Sequence, residues 1–569
     1  MFARRHISIL SALLLIGSVA LTQETASHDD SNPQTGTSPS GQPAIAPITF
    51  NQVVDKIVER EHFFVAQMRQ LHPLAETYIQ NLKTDEGGLT PVSDQYFFGR
   101  LDLSNGTDDR SFMGQPGFGR RFVSKLSGLY SMKFLPMGFA QMVILDDDFQ
   151  RKNYDLTFVR REFLGELRCL AIDVQPKPKA GSGRFVGRIW VEDQDYNIVR
   201  FNGTYSSKSG SKFYLHFDSW RLNMRPGIWL PAYVYSEESD MKYGMGHSLN
   251  FKAQTRLWGY DLQRLTNNEE FTQILVDSQQ EIHDRSDAAQ DSTPVESERL
   301  WQQQAEENAL ERLQRIGLLA PTGEVDKVLE IVVNNLIATN NIEIQPPVHV
   351  RVLLTTPLES FTIGHTIVIS RGLIDVLPDE ASLAMVLSHE LSHITLGHKS
   401  DTKLAFTDRM FFPDEDTFER LDFAHTAEDE QAADKQALKL LGNSPYKDKL
   451  ANAGLFLKAL QASAPELKNL IRAHLGNGLA NDKEMRMSAL LNSAPKLEVR
   501  QTDQIAALPL GGRVKLDPWS NNVELVKTKP MSLNSPQEKL PFEVTPFFPH
   551  LTRLSKDTSE NVAFRNPAK

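Results

Sequence analysis

Hydrophobic and polar positions change their rhythm several times along the chain. Across 50–85, Val53, Val54, Ile57, Val58, Phe63, Phe64, Met68 and Leu71 recur at helical intervals, which predicts one or two helices. From 95 to 260 the rhythm becomes period two, with β-branched and aromatic enrichment and turn signals between runs. The clearest strands are DQYFFGRLDL, YDLTFVRREF, RCLAIDVQPK, FVGRIWVED, NIVRFNGTYS, FYLHFDSWRL and IWLPAYVYSE. FVGRIWVED and IVRFNGTY flank a short polar turn and so predict an antiparallel hairpin. Residues 267–303 are rich in Gln, Asp, Glu and Ser and read as a linker that turns helical near Glu296.

Helical spacing returns with Val325, Val328, Leu329, Val332, Val333 and Leu336, followed by a strand at 348–354. The run 361–370 predicts an edge strand, with Phe361, Thr362, Ile363 and Gly364 as the stretch an extended peptide adds to. A strand edge offers unpaired N–H and C=O groups. Next comes ASLAMVLSHELSHITLGH, in which Leu383, Val386, Leu387, Leu391 and Ile394 sit at helical spacing behind a Pro378-Asp379-Glu380 start. After 500 the pattern decays into a Pro-, Ser- and Lys-rich tail.

The apolar helix contains three ionisable residues. His389 and His393 are four apart, so both imidazoles lie on one face within reach of a single metal ion. Glu390 is placed to take a proton from attacking water, which makes it the candidate general base. Buried ionisable groups need a partner, and a cation supplies one. A catalytic zinc site needs a third protein ligand. The metzincin pattern requires Gly and His seven and ten residues after the first His, where this chain has Leu396 and Lys399. That class is excluded. His398 follows too closely after His393 to be such a ligand and reads as structural. Downstream, AEDEQAADKQALKLLG forms a second predicted helix on which Glu430 and Asp434 stand four apart. Glu430 fits the third ligand better than the nearby His425, and Asp434 fits an acceptor for the outer N–H of a ligand histidine.

ESFTIGHTIVISRGLIDVLPDEASLAMVLSHELSHITLGH and DEQAADKQALKLLG resemble the signature regions of the HtpX, BepA and CAAX-prenyl-protease type zinc endopeptidases. The resemblance implies one zinc per chain on His389, His393 and Glu430, Glu390 as base and Asp434 orienting a ligand. It covers 310–500. The family's His-Pro followed by Arg appears here as His474-Leu475 with Arg486 further on, which implies catalytic or metal-capping roles for His474 and Arg486. Where the family usually has Asn in its edge-strand motif, this chain reads Glu359-Ser360-Phe361. The period-two region resembles the curved antiparallel sheet of the LolA, LolB and RseB domains.

The expected fold is therefore α+β and multidomain, with a LolA-like sheet domain at 48–265, a polar linker at 266–305 and a mainly helical zincin peptidase domain with a small sheet at 306–500. An extended tail at 501–569 follows. Arg4 and Arg5 before the apolar run 7–21 predict a secretory signal at 1–23, with an uncleaved anchor as the alternative, and 24–47 reads as a disordered linker. An exported, soluble metalloendopeptidase acting on envelope or misfolded proteins is expected. The alternatives are a non-cleaving chaperone and a lipid or lipoprotein carrier that works through the sheet domain.

Length points to at least two domains, since 569 residues exceed one core. With 40% hydrophobic and 23% charged residues, composition is that of a globular protein, and the net charge of −11 argues against a nucleic-acid partner. The expected partners are a polypeptide substrate and, at the sheet domain, a lipoprotein, lipid or outer-membrane protein. Cys169 is the single cysteine, so no disulfide within the chain and no cysteine-based metal site can form. Trp190, Tyr205, Phe213, Trp220 and Trp229 either line a groove or pack the sheet's core, with packing favoured.

Overall fold

A computed structural model describes residues 49–103, 142–262, 294–400, 421–497, 514–517, 522–525 and 551–554, less short internal stretches. The signal and first linker, Phe213, residues 401–420 and most of the tail lie outside the described residues. Helix α1, Phe50–Met68, is started by Thr49, whose side chain and Gln52 cap each other reciprocally. Nine antiparallel strands follow: β1 (Leu74–Asp85), β2 (Gly88–Arg100), β3 (Tyr154–Leu164), β4 (Leu167–Pro176), β5 (Phe185–Glu192), β6 (Ile198–Tyr205), β7 (Phe217–Arg225), β8 (Ile228–Tyr243) and β9 (His247–Trp258). Their order is β2-β1-β9-β8-β7-β6-β5-β4-β3, and β5 and β6 form the expected hairpin.

The segment expected to continue the first helix is instead β1. Leu74–Leu82 pairs with β9 and Leu74–Asp85 with β2, so β1 lies inside the sheet. Ladder pairing on both sides outweighs a weak helical spacing. One face of the sheet is apolar: Ile79, Ile172, Phe185, Ile189, Phe201, Phe217 and Phe251 pack with Val53 and Ile57 of α1. The other face carries Trp190, Trp220 and Trp229, which pack with Cys169 and with Leu551 of the returning C-terminal segment.

The second region begins with α2 (Pro294–Ile316) and α3 (Glu324–Thr339). A small sheet follows, made of β10 (His349–Leu353), β11 (Glu359–Ile363), β12 (Thr366–Ser370) and later β13 (Asn477–Gly478), in the order β10-β12-β11-β13. The helices are α4 (Arg371–Val376), α5 (Glu380–Leu396), α6 (Ala427–Gly442), α7 (Leu450–Ser463) and α8 (Lys468–Ile471). The expected single edge strand at 361–370 is thus a hairpin. Gly364, with φ of +56°, makes the turn, and a Cβ there would lie 2.1 Å from Glu306 Oε2. Within it β11 pairs with β12 on one side and, at Glu359 and Ser360, with β13 on the other.

The two regions share a core. Leu74, Tyr78, Phe98 and Trp258 of the large sheet belong to the same buried cluster as Leu329, Phe361, Leu387 and Leu470. The Trp258 indole donates to Gly317 O at 2.8 Å.

Candidate metal centre

Helix α5 is held at its start by Asp379, whose side chain accepts from Ser382 N, and it ends at Gly397 in the left-handed region. It is buried from Ala384 to His393 without interruption, so its polar residues must be answered by protein groups or a ligand. Helix α6 starts at Thr426, which accepts from Asp429 N, and carries three acidic residues in its first turn. It packs against α5, with Ala433 and Ala437 buried on its inner side.

His389 Nε2 and His393 Nε2 face each other at 3.0 Å. Glu430 Oε2 lies 3.2 Å from the first and Oε1 lies 3.5 Å from the second. Three ligand atoms thus converge within 4.8 Å of one another. Two imidazoles and a carboxylate with one open position are a donor set suited to zinc. Arg486 Nε lies 2.9 Å from Glu430 Oε2, yet neither atom has an aligned hydrogen bond. The carboxylate oxygen thus lies between the guanidinium and the His389 ring.

Each donor is held from behind. His389 Nδ1 lies 2.8 Å from Asp434 Oδ1, and Met487 N donates to the other oxygen of Asp434 at 2.8 Å. His393 Nδ1 lies 2.9 Å from His398 Nδ1, and His398 Nε2 lies 3.4 Å from Asp429. Asn477 Nδ2 donates to Glu430 Oε1 and also to His425 O. Glu390 Oε1 accepts from Ser360 Oγ at 2.7 Å and from Arg486 Nη1 at 3.0 Å. Both bonds fall on the same carboxylate oxygen.

Burial and the Arg486 charge push the His389 pKa down, but its bonds to Asp434 and Glu430 carry it above the ordinary value. Burial, with the neighbouring His389 and His425, holds His393 far below its ordinary value. Glu430 is drawn well below the carboxylate range: burial opposes this, but His389, Arg486 and His393 outweigh it. Glu430 and His393 are thus held in their unprotonated forms, the forms in which such side chains bind a metal.

Spacing alone did not reveal Ser360, Asn477 and the His398–Asp429 pair. Ser360 and Asn477 arrive by strand pairing, and His398 meets Asp429 only once α5 and α6 pack together. His425 stacks on His393 with ring centres 4.0 Å apart, and its Nε2 lies 3.2 Å from Thr362 Oγ1. Arg486 stands in the centre, bridging Glu390, Glu430 and Asn477 O. His474 sits differently. Its ring lies against Tyr96 of β2 at 5.6 Å, its N–H donates to Glu359, and burial followed by the Arg472 charge lowers its pKa to about 4. Of the edge residues, Phe361 stacks on Phe423 at 5.0 Å, and Thr362 O accepts from Ser400 Oγ at 2.5 Å.

Residues 324–410 match the family model of Peptidase family M48, which implies metallopeptidase chemistry for that region. No curated protein matches the chain. Among solved structures, the chain is similar to a putative outer membrane lipoprotein-sorting protein domain from Vibrio parahaemolyticus, at 12% identity over 36% of this chain and 92% of that one, with a TM-score of 0.19. It is also similar to a LolA superfamily protein from Nitrosomonas europaea, at 9% identity over 38% and 93%, with a TM-score of 0.18. A DUF1329 family protein from Desulfovibrio piger matches at 12% identity over 36% and 92%, with a TM-score of 0.17. Scores of that size assign the sheet neither a ligand nor a role.

Proposed function

We propose that this chain is a zinc-dependent metalloendopeptidase that hydrolyses peptide bonds in exported, envelope or misfolded proteins. The observation that carries the proposal is the convergence of His389, His393 and Glu430 beside a carboxylate, Glu390, that is not part of the donor set. When bound, zinc would acidify water and polarise the scissile carbonyl. Glu390 then removes a proton from the attacking water through Oε2 and delivers it to the leaving amine. Ser360 and Arg486 fix the other oxygen, so the free one keeps a constant direction. Arg486 also supplies a buried positive charge beside the developing negative charge of the transition state.

An extended substrate would lie along Phe361, Thr362, Ile363 and Gly364, whose outer side has no strand partner beyond Ser360 among the described residues. Export is supported by the basic, then apolar start of the chain. Among the described residues no helix is long and apolar enough to cross a membrane. Metal analysis of the purified protein together with cleavage of unfolded casein tests the proposal. About one zinc per chain is expected, with cleavage abolished by a chelator and restored by zinc. Protein that binds zinc and casein yet never cleaves would instead be a non-cleaving binding protein.

A further inference from the structure

The large sheet reaches the metal centre through two carboxylates on β1 and β2. Glu76 of β1 accepts from Thr356 N at 2.5 Å and from Thr356 Oγ1 at 2.8 Å. Thr356 lies just before β11, the strand that carries Ser360 to Glu390. Asp94 of β2 accepts from Asn469 N at 3.0 Å, Asn469 Nδ2 at 2.9 Å and Leu470 N at 2.7 Å. Asn469 and Leu470 form α8, from which the chain runs into β13 and delivers Asn477 to Glu430. Glu359 ties the two segments together, since its Oε2 accepts from His474 N at 2.8 Å and Leu475 N at 2.9 Å.

These bonds are well sheltered. Asp94 is 6% exposed, Glu76 1% and Glu359 fully buried, and Leu358 N donates to Leu470 O at 2.7 Å between the two anchored segments. A buried carboxylate that receives several backbone N–H groups fixes those groups firmly, because releasing them would leave both sides unpaired in a dry environment. The anchors therefore restrict where β11 and β13 can lie, and through them the side chains facing Glu390 and Glu430.

We propose that the N-terminal sheet is a working part of the metal centre, with Asp94 and Glu76 as positioning residues that hold the Ser360 and Asn477 segments against Glu390 and Glu430. The proposal rests on the zinc assignment above. It assigns the sheet a function that needs no ligand of its own: the catalytic region is complete only with the sheet docked on it.

The test uses the full-length protein and zinc affinity measured by chelator competition. Asp94→Ala is expected to weaken zinc binding roughly 10-fold, and Asn477→Ala, which touches Glu430 itself, roughly 10- to 100-fold. Because both act on Glu430 through one path, the double variant should be no more than about 2-fold weaker than Asn477→Ala alone. Arg188→Ala, which breaks the Arg188–Asp173 pair elsewhere in the same sheet, is the control and should keep wild-type affinity. In metal-free protein, amide exchange at Asn469, Leu470, His474 and Leu475 should accelerate in Asp94→Ala and not in the control. Asn469→Ala repeats the test from the other side should Asp94→Ala not fold. Wild-type zinc affinity with a protected 469–475 segment, or additive effects in the double variant, would overturn the proposal. A wild-type protein that binds no zinc would overturn the zinc assignment instead, while the exchange measurement would still decide whether Asp94 anchors the segment.

Discussion

Charged groups are buried in both regions of this molecule, in two different ways. In the large sheet, Arg200 meets Asp218 through two bonds of 2.8 Å and lies between the rings of Trp190 and Trp220, 4.2 and 4.4 Å from their centres. Arg221 likewise meets Glu61 of α1 through bonds of 2.7 and 2.8 Å and lies 3.6 Å from the Phe64 ring centre. Each guanidinium is matched to one carboxylate in a planar fork. In the metal centre the donor atoms point at one another instead, and two imidazole nitrogens stand 3.0 Å apart with a carboxylate beside them. Forked pairs match charge to charge and hold structure. Donors that converge on one point leave room for a cation, and that distinction separates a candidate site from a well-paired core.

The largest effect expected on the convergent side comes from Glu390→Gln, which should retain zinc and lose about 10²- to 10⁴-fold in kcat on unfolded casein, since an amide cannot take a proton from water. A variant cleaving at the wild-type rate would remove Glu390 from the chemistry. On the forked side, Glu61→Ala leaves the Arg221 charge buried and should destabilise the protein by about 3–5 kcal/mol, read as a lower denaturation midpoint. Zinc affinity of the folded protein should not change, and a matching loss of affinity would erase the contrast between the two kinds of burial.

A smaller change is expected from Asp434→Ala, roughly 10- to 100-fold in zinc affinity, because His389 loses the acceptor that fixes its ring. Unchanged affinity in a chelator competition would reduce Asp434 to a residue of the helix surface. The smallest effect concerns His474, which is kept neutral in the fold with its pKa lowered to about 4. The unfolded chain takes up a proton near pH 6.5 and the folded one only near 4, so stability is lost as pH falls through that window. His474→Gln should remove about 2 kcal/mol of that acid sensitivity in a comparison of unfolding at pH 7 and pH 4.5. Equal sensitivity in both proteins would show that the ring titrates freely in the folded state.

How much was legible differs between the two regions for a physical reason. His389, Glu390 and His393 lie within one turn of one helix, and Glu430 and Asp434 within one turn of another, so a local repeat of 3.6 residues sets their geometry. The strands β3 to β8 were legible because alternation marks a half-buried ribbon. β1 was not, since Leu74–Asp85 becomes a strand by pairing with segments on both sides of it. The hairpin at Gly364 was missed although Gly364-His365 interrupts the run, because the apolar and β-branched residues on both sides of it read together as one strand.

By itself, then, the sequence determined the two helices that carry His389, His393 and Glu430 and the antiparallel character of the first region, each from a spacing within a few turns or one ribbon. Tertiary structure alone decided that Asp94 would meet Asn469 across 375 positions, that Asn477 would reach Glu430 across 47, and that His474 would turn toward Tyr96. A pleat or a helix constrains which face a side chain takes, but not which distant segment that face meets. Strand order, register and the shared core settle the partner, and these emerge only when the whole chain has buried its apolar surface.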